Sequence, residues 1–279
     1  MSTPLAPLLV ETKQLESLLG NKKLLVIDVS RPQVYRHYHI PGAIHLDYTQ
    51  IIRFAPPIGG LLPSSEQFNR LMSAIGLTPN THVVAYDDEG GGNAARLLWT
   101  LEAFGHKHVS LLNGGLHSWA NEGHPLSNNP VFPEPQPYQA LFKGYNVADQ
   151  AYILEHLDNP NVQFLDARSK AEFDGSEAYS KRSGRIPGAI HFKWSIGLDP
   201  TKNLRFRSKD EISTLLLARG IEPEQEVIVY CQTHHRSALS WFMLKYLGYA
   251  KVRGYPGSWS DWGNCDDTPI ETDPQTEHD

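Results

Sequence analysis

Val227-Ile228-Val229-Tyr230-Cys231-Gln232-Thr233-His234-His235-Arg236-Ser237 changes character in its middle. The first four residues form an apolar run without alternation, the pattern of a strand buried on both faces. From Ser237 onward, Leu239, Phe242, Met243, Tyr246 and Leu247 recur at helical spacing, and Gly248 supplies a stop. Cys231 therefore stands where a strand hands over to a helix. A thiol there meets unpaired backbone N–H groups and the positive end of the helix dipole. Both favour the thiolate, the reactive form of cysteine. Four residues separate Cys231 from Arg236, so the turn is tight and its N–H groups can converge on one anion. The plain alternative is a small buried hydrophobe, which most lone cysteines are.

An internal repeat weighs against that alternative. Val26-Ile27-Asp28-Val29-Ser30 matches Phe164-Leu165-Asp166-Ala167-Arg168. His39-Ile40-Pro41-Gly42-Ala43-Ile44-His45 matches Arg185-Ile186-Pro187-Gly188-Ala189-Ile190-His191, and Val83-Val84-Ala85-Tyr86-Asp87 matches Val227 to Cys231. Gly114 with Trp119 matches Gly257 with Trp262. The separations are 138 residues (Asp28 to Asp166), 146 (Pro41 to Pro187), 144 (Tyr86 to Tyr230) and 143 (Trp119 to Trp262). Near-constant offsets in one order mean a duplicated domain rather than a solenoid. The copies part where chemistry would sit. Asp87 replaces Cys231, and the loop after it, Asp88-Glu89-Gly90-Gly91-Gly92-Asn93, offers carboxylates and no nucleophile. One working site, in the second half, is the simplest inference.

These residues resemble the rhodanese family of sulfurtransferases in its tandem two-domain form. The resemblance runs over nearly the whole chain. It rests on the Asp ending the first strand of each half, the Ile-Pro-Gly-Ala segments, the Cys-x4-Arg loop and the Gly…Trp segment. The resemblance implies a persulfide on Cys231, formed from a small anionic donor, thiosulfate, and discharged to cyanide or a thiol. It implies no metal and no organic cofactor. Animal-type thiosulfate enzymes carry Cys-Arg-Lys-Gly-Val-Thr in the loop, and the mercaptopyruvate group carries Cys-Gly-Ser-Gly-Val-Thr or similar. The Gln-Thr-His-His-Arg loop is similar to that of a bacterial subgroup. A 3-mercaptopyruvate donor is the nearest alternative.

Matching the family's pattern puts Arg185 beside the active loop as a donor-binding cation; its neighbours Lys181 and Arg182 read as a solvated run. Arg236 either locks the loop by bonding its carbonyls, which is the favoured role, or faces the substrate. Gln232, Thr233, His234, His235 and Ser237 complete the active loop. His234 and His235 are adjacent in a tight turn and point apart, with no third ligand at a recognisable spacing, so metal binding is disfavoured and a tuning role for one of them stays open. Trp194 is a pocket wall or simple core. Asp28 and Asp166 hold the turns that follow them. His37-Tyr38-His39 and His106-Lys107-His108 read as ordinary loop residues. Cys265, in polar Gly263-Asn264-Cys265-Asp266-Asp267, reads as a bystander.

The chain has 279 residues, a length that suits two domains, and its composition, 40% hydrophobic and 20% charged, is that of a soluble globular protein. Alternating strands and helices predict, in each, a mostly parallel sheet flanked by helices. A net charge of −6 disfavours nucleic-acid or membrane-surface partners, and the apolar runs are strand-sized. Two cysteines make no disulfide framework, and the first ten residues lack a basic segment and a long apolar core, which points to the cytoplasm. Prolines at 130, 133, 135 and 137 mark an extended linker over 125–137. It separates a first domain, 1–124, from a catalytic domain, 138–279, whose tail from Asp266 is expected to fray.

Two rival functions remain. A Cys-based phosphatase or arsenate reductase needs Cys-x5-Arg, and here Arg comes one position early, which narrows the cradle. A non-catalytic rhodanese-like binding module suits the first half better than the second.

Overall fold

A computed structural model describes residues 4–273. Two parallel sheets dominate. The first runs Leu9–Val10, Val109–Leu112, His82–Tyr86, Leu24–Asp28, Ile44–His45, with every neighbouring pair parallel. The second runs Val252–Gly254, Glu226–Tyr230, Val162–Asp166, Ile190–His191, again all parallel. The strands His82–Tyr86 and Glu226–Tyr230 are flanked by strands on both sides and fully buried along Val83–Tyr86 and Val227–Tyr230, as those unbroken apolar runs require.

The duplication is visible bond by bond. Tyr86 and Tyr230 are fully buried, and each hydroxyl accepts the N–H that opens an Ile-Pro-Gly-Ala segment, from Ile40 at 3.0 Å and Ile186 at 3.2 Å. Asp28 and Asp166 each accept the N–H two residues on, from Ser30 and Arg168, and so hold the turns expected of them. His45 and His191 each bond the carbonyl of that same residue, Ser30 or Arg168. Trp119 and Trp262 donate their indole N–H to the carbonyls of Pro125 and Pro269. Buried polar groups are thus satisfied in the same way twice. The apolar clusters around them also correspond: Val26, Val84, Tyr86 and Trp119 in one half, Phe164, Ile228, Tyr230 and Trp262 in the other.

The chain forms two compact units whose limits differ from a single cut. One comprises 4–53, Leu62–Tyr145 and Gly197–Ser208; the other comprises Phe54–Leu61, Asn146–Ile196 and 209–273. The expected domain start at Tyr138 is therefore corrected to Asn146. The segment 125–145 is extended, but it is tied to the first unit. Gln136 N–H donates to Ser73 O, Ala140 N–H to Asn69 Oδ1 and Lys143 N–H to Ala103 O. Each unit also includes a short hairpin from the other half of the sequence, Arg53–Ala55 with Ile58–Leu61 lying mostly in the second unit and Leu198–Asp199 with Arg205–Phe206 in the first.

Two further expectations change. The tail from Asp266 is anchored as far as the structure describes it: Glu271 pairs through its backbone with Arg185, and Thr268 is buried beside Trp262. Its last residues, 274–279, lie outside the described residues. His39 and His106 are not ordinary loop residues. Both are buried; His39 Nδ1 bonds Tyr35 O, and His106 Nδ1 bonds the Tyr138 hydroxyl. No helix among the described residues is long and apolar enough to cross a membrane.

Candidate active site

Cys231 directly follows the strand Glu226–Tyr230, and the helix Arg236–Leu247 starts five residues later. The loop between them is clamped from behind. Trp259 and Ser260, in the helix Ser258–Trp262, donate their N–H groups to the carbonyls of Cys231 and Gln232, both at 2.9 Å. The Ser258 hydroxyl accepts Cys231 N–H. Gln232 Nε2 reaches Tyr179 O and Ser180 Oγ. Thr233 lies against the hairpin strand Ile58–Leu61. A Cβ on Gly60, at φ +69°, would stand 2.1 Å from Thr233 O, so only glycine fits there. The Cys231 and Gln232 carbonyls are thus bonded away from the site, and the N–H groups of Thr233 and Ser237 are turned to the thiol.

Those groups meet the sulfur. Cys231 is 1% exposed. Burial pushes its thiol pKa up, but the Arg236 guanidinium, the Ser237 hydroxyl and the N–H groups of Ser237 and Thr233 outweigh burial and hold it below the ordinary thiol value. The helix N-terminus adds its dipole. Arg236, expected from sequence to bond the loop carbonyls, is engaged by a carboxylate from another helix. Its two terminal nitrogens fork onto Glu172, Nη1 to Oε2 at 2.6 Å and Nη2 to Oε1 at 2.8 Å. This pair fixes the guanidinium beside the sulfur. Burial raises the Glu172 carboxyl, and Arg236 with the Ser169 N–H bring it below the usual range. Glu172 is itself set by a capping box with Ser169 at the start of the helix Lys170–Asp174.

Behind Glu172 lies a second buried pair. Arg168 is 1% exposed, bonds Asp166 at 2.6 Å through Nη2, and stands 4.5 Å from the centre of the Trp259 ring. Sequence reading missed both Glu172 and Arg168. The repeat carried the signal: their counterparts 138 residues earlier are Val34 and Ser30, uncharged in the half that lacks the cysteine.

Arg185 is placed differently from expectation. Its guanidinium is bound by Glu271 and by Asp273, the latter at 2.7 Å, and stacks 4.4 Å from the Phe173 ring. It anchors the C-terminal segment with carboxylates that would compete with any anionic ligand. Lys181 forms an exposed pair with Asp266, as a solvated run would, and Arg182 donates to the carbonyls of Trp262, Cys265 and Thr268. Trp194 N–H bonds Ala167 O, and its ring is half-buried. His234 is buried at φ +54° with Nδ1 2.7 Å from Ser237 Oγ; His235 is half-buried. No group of three potential metal ligands exists among the described residues. Cys265 is half-buried.

The equivalent loop in the first half is filled by its own anion. The Asp87 carboxylate accepts N–H groups from Glu89 at 3.0 Å, Gly91 at 2.8 Å and Ala94 at 2.9 Å. Leu116 N–H bonds Asp87 O just as Trp259 N–H bonds Cys231 O. One loop architecture thus cradles a carboxylate in one half and a thiol in the other.

A buried cysteine just past the end of a parallel strand, with the N–H groups of Thr233 and Ser237 and the Arg236 guanidinium holding its thiol pKa down, has the arrangement a thiol nucleophile needs. The description "Rhodanese-like domain" matches residues 11–122 and again 149–265. The chain belongs to the rhodanese family. It is 38% identical to the thiosulfate sulfurtransferase of Pseudomonas aeruginosa over 265 residues, 95% of this chain and 97% of that protein. The thiosulfate sulfurtransferase of Azotobacter vinelandii matches equally well, and the sulfur carrier protein TtuD of Thermus thermophilus is 34% identical over 94% of this chain and 95% of that one. Among solved structures, the crystal structure of YnjE superposes with a TM-score of 0.86 at 25% identity, over 95% of this chain and 68% of that one. An EanB variant in complex with ergothioneine gives 0.86 at 25% identity, over 95% and 70%.

Proposed function

We propose that this protein is a thiosulfate sulfurtransferase working through a persulfide on Cys231. The observation that carries the reading is the buried Cys231 thiol, its pKa lowered by Arg236, Ser237 and the loop N–H groups. The thiolate attacks the outer sulfur of thiosulfate. The new S–S bond forms as the old one breaks, and its electron pair leaves with sulfite. The persulfide anion remains where the thiolate was, held by the same N–H donors and the helix N-terminus. Cyanide or a cellular thiol then attacks the terminal sulfur and frees the Cys231 thiolate. The cysteine carries the sulfur, so the cycle needs no cofactor. A cytoplasmic setting would keep the thiol reduced.

Within this reading Arg236 supplies positive charge to the anionic donor, Gln232, Thr233, His234, His235 and Ser237 shape the loop, and Arg185 acts at a distance by fixing the C-terminal segment. Relatives of nearly equal length named for thiosulfate support that donor. A larger kcat/KM for 3-mercaptopyruvate than for thiosulfate would reverse the donor assignment. Cys231→Ala is expected to abolish sulfur transfer while Cys265→Ala leaves it near wild type; turnover retained by the first variant refutes the reading.

A further inference from the structure

His234 and Ser237 form a buried pair that the cycle above does not explain. Both are fully buried, and Nδ1 lies 2.7 Å from Oγ, the distance of a strong hydrogen bond. The Ser237 hydroxyl is also among the groups that lower the Cys231 thiol pKa. A hydroxyl has one proton to give. If it donates to Nδ1, the sulfur gets nothing from it. If it donates to sulfur, its oxygen must accept from an N–H at Nδ1. The tautomer of His234 therefore decides which way the hydroxyl points.

We propose that His234 carries its proton on Nδ1 and, through the Ser237 hydroxyl, positions a hydrogen-bond donor on the Cys231 sulfur. His234 is then a positioning residue: it does not touch the sulfur but orients the group that does. The backbone supports a dedicated role. His234 holds φ +54°, a left-handed region that only a few per cent of residues other than glycine adopt. With this backbone the ring's Nδ1 meets Ser237 in the first turn of the helix Arg236–Leu247. The same hydroxyl serves the persulfide anion, since the terminal sulfur takes over the negative charge within the same cradle. The other charged groups about the site are Arg236 and Glu172 from the helix Lys170–Asp174, with Asp166 and Arg168 behind them, and none is altered by the test.

The test is the pH profile of Cys231 alkylation by iodoacetamide, with Cys265→Ala as background. Ser237→Ala and His234→Gly should each raise the apparent thiol pKa by about one unit, a tenfold loss of thiolate at a fixed pH below it. Their double variant should match Ser237→Ala alone. Glycine relieves the backbone, so its effect reports the lost ring and not strain. His234→Asn tolerates the same φ and offers an amide N–H, so it should recover most of the wild-type profile. A His234→Gly profile that overlays wild type, or additive effects in the double variant, overturns the proposal. Nitrogen NMR of the wild-type protein gives a second readout that needs no folded variant: Nδ1 should be protonated, and a bare Nδ1 overturns the proposal. The proposal rests on Cys231 being the sulfur carrier, yet alkylation needs no donor. A protein that shows these shifts but takes no sulfur from thiosulfate would refute the proposed function and leave the pair's role standing.

Discussion

Replacing Glu172 by glutamine removes one charge and keeps the shape. In the native site the carboxylate side chain is 4% exposed and accepts both arms of the Arg236 fork. Glutamine offers one acceptor; its amide N–H faces the second guanidinium nitrogen as donor against donor. Breaking a fully buried ion pair costs about 3–5 kcal/mol. The Arg236 side chain is 26% exposed, so water can reach it, and the loss of a charge-assisted bond, about 2 kcal/mol, is the better guide here. For a chain of this size that corresponds to a fall in Tm of about 4–8 °C. The effect on the thiol runs the other way. An Arg236 charge no longer neutralised by Glu172 should stabilise the Cys231 thiolate further, so the thiol pKa drops in Glu172→Gln and rises in Arg236→Ala. Adding Glu172→Gln to Arg236→Ala should restore part of the stability lost in the single Arg236 variant, because it removes a buried unpaired carboxylate. Calorimetry and alkylation profiles read both quantities. Unchanged Tm with an unchanged thiol pKa in Glu172→Gln would refute the coupling between the pair and the sulfur.

Three other outcomes are expected. Asp87→Ala strips the acceptor from three N–H groups and should destabilise the first unit by about 1–3 kcal/mol without lowering the rate of Cys231 alkylation; denaturant unfolding measures it. His82 and His106 are buried neutral, their pKa values lowered to about 4 chiefly by burial; the unfolded chain binds these protons more readily, so their contribution is intact above about pH 6.5 and is lost as pH falls towards 4, and the urea midpoint should fall across that window and fall less in His106→Gln. Arg185→Ala should lower Tm through loss of Glu271 and Asp273 while changing KM for thiosulfate less than Arg236→Ala does.

Much of this was legible in sequence because duplication writes each structural bond twice. The Asp at the strand end, the buried Tyr and the Ile-Pro-Gly-Ala turn recur together, and they are the groups whose backbone and side-chain bonds hold each parallel sheet to its loops. Cys231 was legible because a strand-to-helix junction is a local feature. The partners of the cations were not. Arg185 precedes Ile-Pro-Gly-Ala and is polar, yet which carboxylate meets it depends on a strand pairing with Glu271, a contact of 86 residues' separation. Arg236 lies five residues from Cys231, but Glu172 reaches it from a helix 64 residues earlier. Long-range ion pairs leave no local spacing to read. The domain edge at Asn146 was hidden for a related reason, since a proline-rich segment looks like a free linker until its N–H groups find acceptors on one unit. His234 was named in the active loop, but its φ and its serine partner are properties of the folded turn.

The central claim is that Cys231 itself carries the sulfur. The most direct measurement is intact mass after incubation with thiosulfate alone, followed by cyanide. The account predicts a gain of one sulfur atom, mapped to Cys231, absent from Cys231→Ala, and removed by cyanide with release of thiocyanate. A mass unchanged by thiosulfate in a protein that nonetheless forms thiocyanate, or a sulfur adduct that persists in Cys231→Ala, would contradict it.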